Sequence, residues 1–567
     1  MTTDPGSNTV AASDLALQRL WHWERTASDR KVLIQPLGGG AIREYTWKEV
    51  IDEARRMAAH LRSLGHPPGS RIALMSKNCA TWLIADFAIW MAGHVSVPLY
   101  PTLAAATIRQ ILEHADAKLL FIGKLDGWEA MRPGIPAGLP CIAMPLAPMT
   151  DLPTWQSIVA ATPPLAGEPV REGDELSTIM YTSGTTGQPK GVMHSFATFA
   201  WSTRAMLKRI PSAGVRSRIL SYLPLAHVAE RVLVEHGLLA TGMTVYFAES
   251  LDTFAADQQR ARPTLFFSVP RLWVKFQQGV HARMPPAKLR RLLAVPILGR
   301  IVARKIVAAL GLDACELAGG GAAPMPPELL RWYERLGLPI VEAYGMTENC
   351  GISHATLAGT SRPGTVGLPY DGVQSRIDAA TGEIQMKSPG LMLGYYREPA
   401  LTKEALTADG WLHTGDKGAL DGEGNLCITG RVKDLFKTSK GKYVAPAPIE
   451  DRLVMNGAVE ACVVAGANLG QPLGIVMLNA EAAKRSTDSA GRASLESALA
   501  DHLLRINETL DPHEQLDCIV VVAEPWSVEN GFVTPTFKVK RNRVEEIYAP
   551  LFERWIGAHR PVVWHSA

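Results

Sequence analysis

The sequence predicts an α/β protein: a large N-terminal domain of layered sheets and helices, then a smaller α+β domain at the C-terminus. Three observations carry this prediction. The chain has 567 residues, too many for one hydrophobic core. From Lys31 to Ala343, strand-like apolar runs alternate with segments of helical period, the pattern of parallel layers. After Gly364 the texture changes to short strands and Gly turns, and beyond Arg431 a new, smaller α/β piece begins.

The elements follow in order. The start of the chain reads as disordered. Lys31–Gln35 is a strand, Gly38-Gly39-Gly40 a turn, and Ile42–Thr46 its partner. Thr46 and Glu49 have the spacing of a capping box. Val50, Ala54, Met57, Leu61 and Leu64 then recur at helical spacing, and Gly65 ends that helix. Arg71–Met75, Val95–Leu99 and Lys118–Ile122 read as strands, with helices over Ala80–Ala92 and Ala104–Ala115 between them. Pro133–Pro169 is Pro-rich and irregular. Leu176–Tyr181 is a strand, and a helix starts at His194. Further strands are expected near Ile219–Tyr222, Met243–Phe247, Thr264–Ser268, Ala314–Leu317 and Ile340–Ala343.

Composition removes several function classes. The chain is 47% hydrophobic and 20% charged, as globular proteins are. Net charge is +3, from 58 basic and 55 acidic residues, so nothing calls for nucleic acid. Seven cysteines with no C-x-x-C spacing indicate neither a zinc site nor a disulfide framework. A reducing, cytoplasmic compartment is the simpler expectation. Met1–Ser13 lacks the apolar stretch of a secretory signal. The most apolar segment, Trp82–Gly93, contains Asp86 and is too short for a bilayer. No transmembrane segment is expected, and peripheral membrane contact stays open.

Several motifs carry chemistry. Residues 181–192 read Tyr-Thr-Ser-Gly-Thr-Thr-Gly-Gln-Pro-Lys-Gly-Val. Small residues between a strand and a helix let backbone N–H groups point at an anion. Hydroxyls of Thr182, Ser183, Thr185 and Thr186 add donors, Gly184 and Gly187 give the backbone freedom, and Lys190 adds charge. This is a phosphate cradle, but not a Walker A loop, because no Ser or Thr follows Lys190. Ser221–His227 ends an apolar strand on a histidine. Gly319-Gly320-Gly321-Ala322 at a strand end permits close backbone approach to a flat ligand. Glu342-Ala343-Tyr344-Gly345-Met346-Thr347-Glu348 offers a ring for stacking, a hydroxyl for phosphate and a carboxylate for Mg²⁺. Asp409–Asp416 and Gly430–Asp434 supply Asp416, able to accept from ribose hydroxyls, and Arg431. Taken singly, each feature also reads as a surface loop, a core histidine or a βα turn.

Together, in this order, the blocks resemble the adenylate-forming superfamily, and Asp409–Lys437 resembles the signature of its long-chain fatty-acid–CoA ligases. The resemblance spans roughly residues 15–555. It implies an N-terminal AMP- and acyl-binding domain over 1–430 with a small β-barrel part, a hinge at 431–434 centred on Lys433, and a mobile lid over 435–567. It implies nucleotide contacts from Thr182–Gly187, Lys190, Gly320–Ala322, Glu342–Gly345, Thr347, Asp416 and Arg431. Glu348 and Thr185 would hold the metal. His227, Trp273 and Gly319 would border the acyl pocket, and Lys440, Gly441 and Lys442 the CoA path. The last block, Asn530–Arg541, carries Thr536-Phe537-Lys538 where many members read Ser-Gly-Lys. Lys538 takes the catalytic role by resemblance, with Lys540 as the alternative. Lys538, Glu348, Lys190 and His227 form the implied catalytic set.

The reaction implied is ATP-dependent activation of a fatty acid of medium to long chain. An acyl-adenylate forms, then acyl-CoA, releasing pyrophosphate and AMP. ATP, Mg²⁺ and CoA are the implied cofactor and co-substrates, and the protein is expected as a monomer or homodimer. Two alternatives stay open: an acyl-AMP ligase serving a carrier protein, and a CoA ligase for aromatic or branched acids. A silent lipid- or nucleotide-binding scaffold is the competitor outside enzymes. Joint retention of Lys190, Glu348, Asp416, Arg431 and Lys538 argues against it.

Overall fold

The protein is described by a computed structural model covering residues 9–183, 188–323, 325–357, 362–527, 530–534 and 538–565. Two large sheets form the N-terminal part. In the first, nine strands run in the order Leu368–Pro369, His354–Ala355, Ile340–Tyr344, Leu317–Gly321, Leu265–Ser268, Arg218–Ser221, Thr244–Phe247, Lys31–Gly38 and Ala41–Thr46. In the second, seven strands run Gly394–Tyr395, Pro189–Ser195, Leu176–Ser183, Val95–Leu99, Arg71–Met75, Ala117–Ile122 and Cys141–Ala143. The centres of both sheets pair in parallel, and so does the Cys141–Ala143 edge of the second; the other edges pair antiparallel.

Helix Ala80–Met91 packs against strands of both sheets, and every one of its residues is buried. Apart from Thr81 and Asp86 its circumference is apolar, as a helix between layers requires. The helix before it starts on the expected capping box: Glu49 N donates to Thr46 Oγ1 at 3.3 Å, and Thr46 N donates to Glu49 Oε2 at 2.7 Å.

An antiparallel four-stranded sheet, Gln374–Ile377, Glu383–Lys387, Leu412–Leu420 and Leu426–Arg431, lies where the small barrel part is expected. The C-terminal piece is a sheet of Val459–Ala465, Leu473–Leu478, Ile519–Val522 and Val562–His565 with helices on both faces. Its strands alternate: Val464 and Val476 face helices Pro446–Leu453 and Ser489–Asn507, while Val463 and Ile475 face Arg541–Tyr548 and Phe552–Ile556. Arg271 of the large part pairs with Glu460 of this piece.

Four local expectations are corrected. The N-terminal start holds a helix, Ala16–Ala27, whose Leu17, Leu20, Trp21 and Trp23 are buried. Apolar spacing marks it, but the polar residues before it obscured the pattern. No helix starts at His194: Pro189–Ser195 is a strand antiparallel to Leu176–Ser183, and the helix starts at Phe196. Among the described residues, no helix N-terminus lies between these two strands. The expected strand over Ala314–Leu317 lies instead at Leu317–Gly321, so the three glycines are inside the strand. They suit the neighbours on each side: a Cβ on Gly319 would meet Phe267 Cδ2 at 2.8 Å, and one on Gly321 would meet Ala343 O at 2.6 Å. Finally, Pro133–Pro169 contains a short strand, Cys141–Ala143, and a helix, Trp155–Ala161, started by the Thr154 side chain.

Candidate active site

A cleft of about 1830 Å³ opens where the strand ends of both large sheets, the four-stranded sheet and the C-terminal piece converge. Thr182, Lys190, His227, Ala322, Glu342, Ala343, Tyr344, Gly345, Thr347, Glu348, Asp416, Arg431, Lys433 and Lys538 all line it. Residues up to 356 positions apart in sequence thus share one space, counted from Thr182 to Lys538.

Strand pairing assembles the first group. Asp416 lies opposite Arg431 across the antiparallel pair. Arg431 Nε donates to Asp416 Oδ1 at 2.8 Å, and Tyr344 Oη donates to Asp416 Oδ2 at 2.6 Å. Gly415, at a φ of 72°, makes the turn before Asp416, and its N–H is held by Glu383 Oε1 at 2.8 Å. The result is a buried carboxylate with both oxygens engaged, beside an aromatic ring: an arrangement suited to sugar hydroxyls and a base.

A second group surrounds Glu348. Its carbonyl accepts from Met392 N at 2.8 Å, and its Oε1 accepts from the Tyr395 phenol at 2.9 Å. The Tyr395 ring lies 5.3 Å from Lys190 Nζ. This geometry exists because Gly394–Tyr395 pairs with Val192 and Met193 at the sheet edge. From behind, His194 Nε2 lies 2.7 Å from Thr347 O. Burial first pushes His194 down to about 4, so the ring is neutral and Nε2–H is the donor to that carbonyl. Gly345 cannot carry a side chain, since a Cβ there would sit 2.2 Å from Gly351 O.

His227 is likewise pushed down to about 4, by burial first and then by Lys538. Its Nδ1 accepts from Ala229 N at 3.2 Å, leaving the proton on Nε2. Lys538 N–H donates to Thr534 Oγ1 at 3.0 Å, and Thr534 N donates to Lys538 O at 2.7 Å. The Lys538 ammonium is held below the usual lysine range by its depth in the cleft and by Arg431, with Asp416 and Glu348 opposing. The residue itself is exposed, so it faces the open cleft rather than a closed core. Glu342 is buried with Oε2 unpartnered among the described residues, and burial, then Asp451, pushes it up to about 8.

Several expected residues stand elsewhere. Trp273 is fully buried behind the cleft, its indole N–H donating to Gly319 O at 3.2 Å. Gly319 borders a separate chamber, and Gly320 and Gly321 lie in the strand behind Phe267 and Met325. Lys440, Gly441 and Lys442 form an exposed turn closed by Gly441 N to Thr438 O at 2.9 Å, outside the cleft lining. Gly184, Thr185, Thr186 and Gly187, and the side chain of Ser183, lie outside the described residues. Sequence reasoning missed Tyr395, His194 and Glu383. Only the Gly394-Tyr395-Tyr396 aromatic pair could have drawn attention to Tyr395, and nothing in it pointed to Glu348.

The residues fit a magnesium ion that arrives with a nucleotide. Among the described residues no three His, Cys, Asp or Glu side chains cluster as a metal cage. Glu348 would supply one hard oxygen ligand, as Mg²⁺ takes when phosphates and water complete its shell.

Comparison with known proteins agrees with this architecture. The family model for AMP-binding enzymes matches residues 20–396, and that for the AMP-binding enzyme C-terminal domain matches residues 433–555. The chain belongs to the AMP-binding enzyme family. Among its relatives is the long-chain-fatty-acid–CoA ligase FadD15 of Mycobacterium bovis, 29% identical, with 96% of this chain and 97% of that protein covered. Another is long chain acyl-CoA synthetase 2 of Arabidopsis thaliana, also 29% identical, covering 94% and 89%. Among solved structures, the anthranilate CoA ligase AuaEII in complex with anthranoyl-AMP aligns with a TM-score of 0.77 at 21% identity, covering 96% of this chain and 100% of that one. The A domain of carboxylic acid reductase from Segniliparus rugosus, in complex with AMP and a co-purified carboxylic acid, aligns with a TM-score of 0.78 at 23% identity, covering 96% and 94%. These two share the fold. Among the described residues, no helix is long and apolar enough to cross a membrane.

Proposed function

We propose that this enzyme is an AMP-forming acid–CoA ligase that activates fatty acids of medium to long chain. The observation that carries the substrate class is a row of cavities behind the cleft. A chamber of about 90 Å³ shares Ala229, Phe267, Ala343 and Gly351 with the cleft. A further one of about 30 Å³ shares Met206, Ile210, Leu233, Phe267 and Leu317 with that chamber. The walls are mainly apolar, and Phe267 borders all three spaces. An unbranched alkyl chain is the ligand shape that such a row fits. The names of the relatives point the same way.

The chemistry follows from the cleft. A fatty carboxylate oxygen attacks the α-phosphorus of ATP, the bond to the β-phosphate oxygen breaks, and pyrophosphate leaves. Two anions must meet, so positioning and charge neutralisation carry the rate. Lys190 and Lys538 supply positive charge from opposite walls. Mg²⁺, held by Glu348, would neutralise phosphate charge. Asp416 and Arg431 hold the ribose end beside Tyr344. Neutral His227 offers an Nε2–H donor at the mouth of the apolar chamber. In the second half-reaction the CoA thiol sulfur attacks the acyl carbonyl, its proton is lost to solvent, and AMP leaves. We place the hinge at 431–434, around Lys433. Rotation there would withdraw Lys538 and bring the exposed Lys440-Gly441-Lys442 turn toward the cleft as the thiol path.

The test is a mass-spectrometric product assay with ATP, Mg²⁺, CoA and a panel of short, medium, long and aromatic acids. Acyl-CoA from the longer straight-chain acids is expected. Turnover of aromatic or short acids only would overturn the substrate class. Acyl-adenylate without thioester would replace CoA by a carrier protein.

A further inference from the structure

The surface behind the apolar chamber carries a feature that the reaction does not use. Helices Pro286–Leu293 and Pro296–Ala309 form a hairpin, each opened by proline. The corner is tight: Gly299 N donates to Val295 O at 2.6 Å, and a Cβ on Gly299 would sit 2.6 Å from Leu293 O. The inner face of the hairpin, Leu289, Ala303, Ile306 and Val307, is buried with Phe266 and Trp273. The outer face is the anomaly. Val295, Ile297, Leu298 and Ile301 are 48%, 77%, 42% and 48% exposed, four large apolar side chains within seven residues. Ile297 and Ile301 lie one turn apart on the side opposite Ala303 and Ile306.

Charge surrounds this ridge. Lys288, Arg290, Arg291, Arg300, Arg304 and Lys305 are all exposed, and none forms an ion pair among the described residues. From Gln258 to Leu312 the chain contains no Asp or Glu. On the second helix, Arg304 and Lys305 fall on either side of Ile301, where their stems can lie along the apolar ridge and their charges can reach outward. An apolar ridge between basic flanks, with acids absent, complements a surface that is negative outside and apolar beneath.

We propose that the 286–309 hairpin docks this enzyme onto anionic lipid bilayers, with Ile297 and Ile301 entering the headgroup boundary and the Arg and Lys side chains meeting lipid phosphates. Docking would set the face behind the acyl chamber against the phase in which fatty acids dissolve. The inference stands apart from the reaction, because vesicle binding is read without turnover.

The test is flotation of the full chain with vesicles of phosphatidylcholine alone and of phosphatidylcholine with phosphatidylglycerol in equal parts. Two variants are compared, Arg300→Gln/Arg304→Gln/Lys305→Gln and Ile297→Ser/Ile301→Ser. The wild type should float with the anionic vesicles only and be released by salt. Each variant should lose roughly tenfold or more in partitioning, with thermal midpoint and turnover of a water-soluble short acid unchanged. Equal flotation with neutral vesicles, no flotation, or variants that float like the wild type would overturn the proposal. So would sedimentation showing a dimer that the Ser variants dissociate, since the ridge would then be covered by a second copy. Failure of every acid in the product assay would leave the vesicle result standing.

Discussion

Glu348 and Lys538 face one cleft from supports of opposite kind. Behind Glu348 the molecule is solid. Tyr395 holds its carboxylate, His194 holds the adjoining carbonyl, and His194 itself packs on Phe199 at 5.4 Å between ring centroids. Phe199 stacks on His236 at 4.2 Å, and beneath them Arg231 pairs with Asp86 and Glu235, all three with no exposed side-chain surface. Lys538 is exposed on the C-terminal piece, and among the described residues its hydrogen bonds are backbone ones to Thr534. In the proposed mechanism the rigid wall would hold groups that keep one geometry through both half-reactions, and the exposed lysine would be a group needed in only one of them.

Four experiments would break or sharpen this contrast. Breaking the buried pair by Asp86→Ala should cost about 3–5 kcal/mol of unfolding free energy, because it leaves the buried Arg231 charge with Glu235 as its one remaining ion-pair partner among the described residues. Denaturant unfolding measures it, and a loss within 1 kcal/mol, about the scale of a surface pair, would mean the wall is not held from beneath. Lys538→Ala should leave stability unchanged while slowing adenylate formation roughly 10²–10³-fold, the scale for removing one preorganised charge contact. Thioester formation from preformed acyl-adenylate should be spared. Unchanged adenylation in single-turnover assays would hand the role to Lys540.

The third experiment concerns the seam between the walls. Glu342 stands at about 8 in the folded protein, against an ordinary carboxyl near 4.5. Between these values the folded state keeps a proton that the unfolded chain has lost, so stability falls as pH rises. Comparing wild type with Glu342→Gln from pH 6 to pH 8, the wild type should lose about 2 kcal/mol relative to the variant. Parallel stability curves would show that Glu342 ionises normally. The smallest effect is expected from Tyr395→Phe, which removes one hydrogen bond and keeps the ring near Lys190. Adenylation should slow by about tenfold or less, and the apparent Mg²⁺ requirement should rise. Stopped-flow assays at varied Mg²⁺ would detect it, and identical titrations would make Tyr395 a packing residue only.

Much of the layered fold was legible because local pattern and final structure agree. The strand at Arg71–Met75, the strand at Val95–Leu99 and the helix from Ala80 are where periodicity puts them. The capping box at Thr46 and Glu49 forms with both of its hydrogen bonds. The misreading around His194 is instructive. Pro189–Ser195 has the residues of a loop leading into a helix, and it becomes a strand because Leu176–Ser183 offers an edge to pair with. The triple glycine, expected at a strand end, lies inside the strand Leu317–Gly321, where glycine is required by Phe267 and the Ala343 backbone. Such requirements come from neighbours distant in sequence, and no local window contains them.

The sequence by itself determined the layered α/β architecture, the order of the motif blocks and, through them, the family of enzymes. The architecture rests on periodicity, turn chemistry and spacing, which act over short stretches of chain, and the family on the resemblance of the motif blocks. Only the tertiary structure decided that Tyr395 meets Glu348, that His194 braces Thr347, that Trp273 is fully buried behind the cleft, and that the apolar ridge of the 286–309 hairpin faces outward. The physical reason is the same in each case. Which side of a strand or helix is buried, and which distant group fills the space beside it, is set when the layers close on one another.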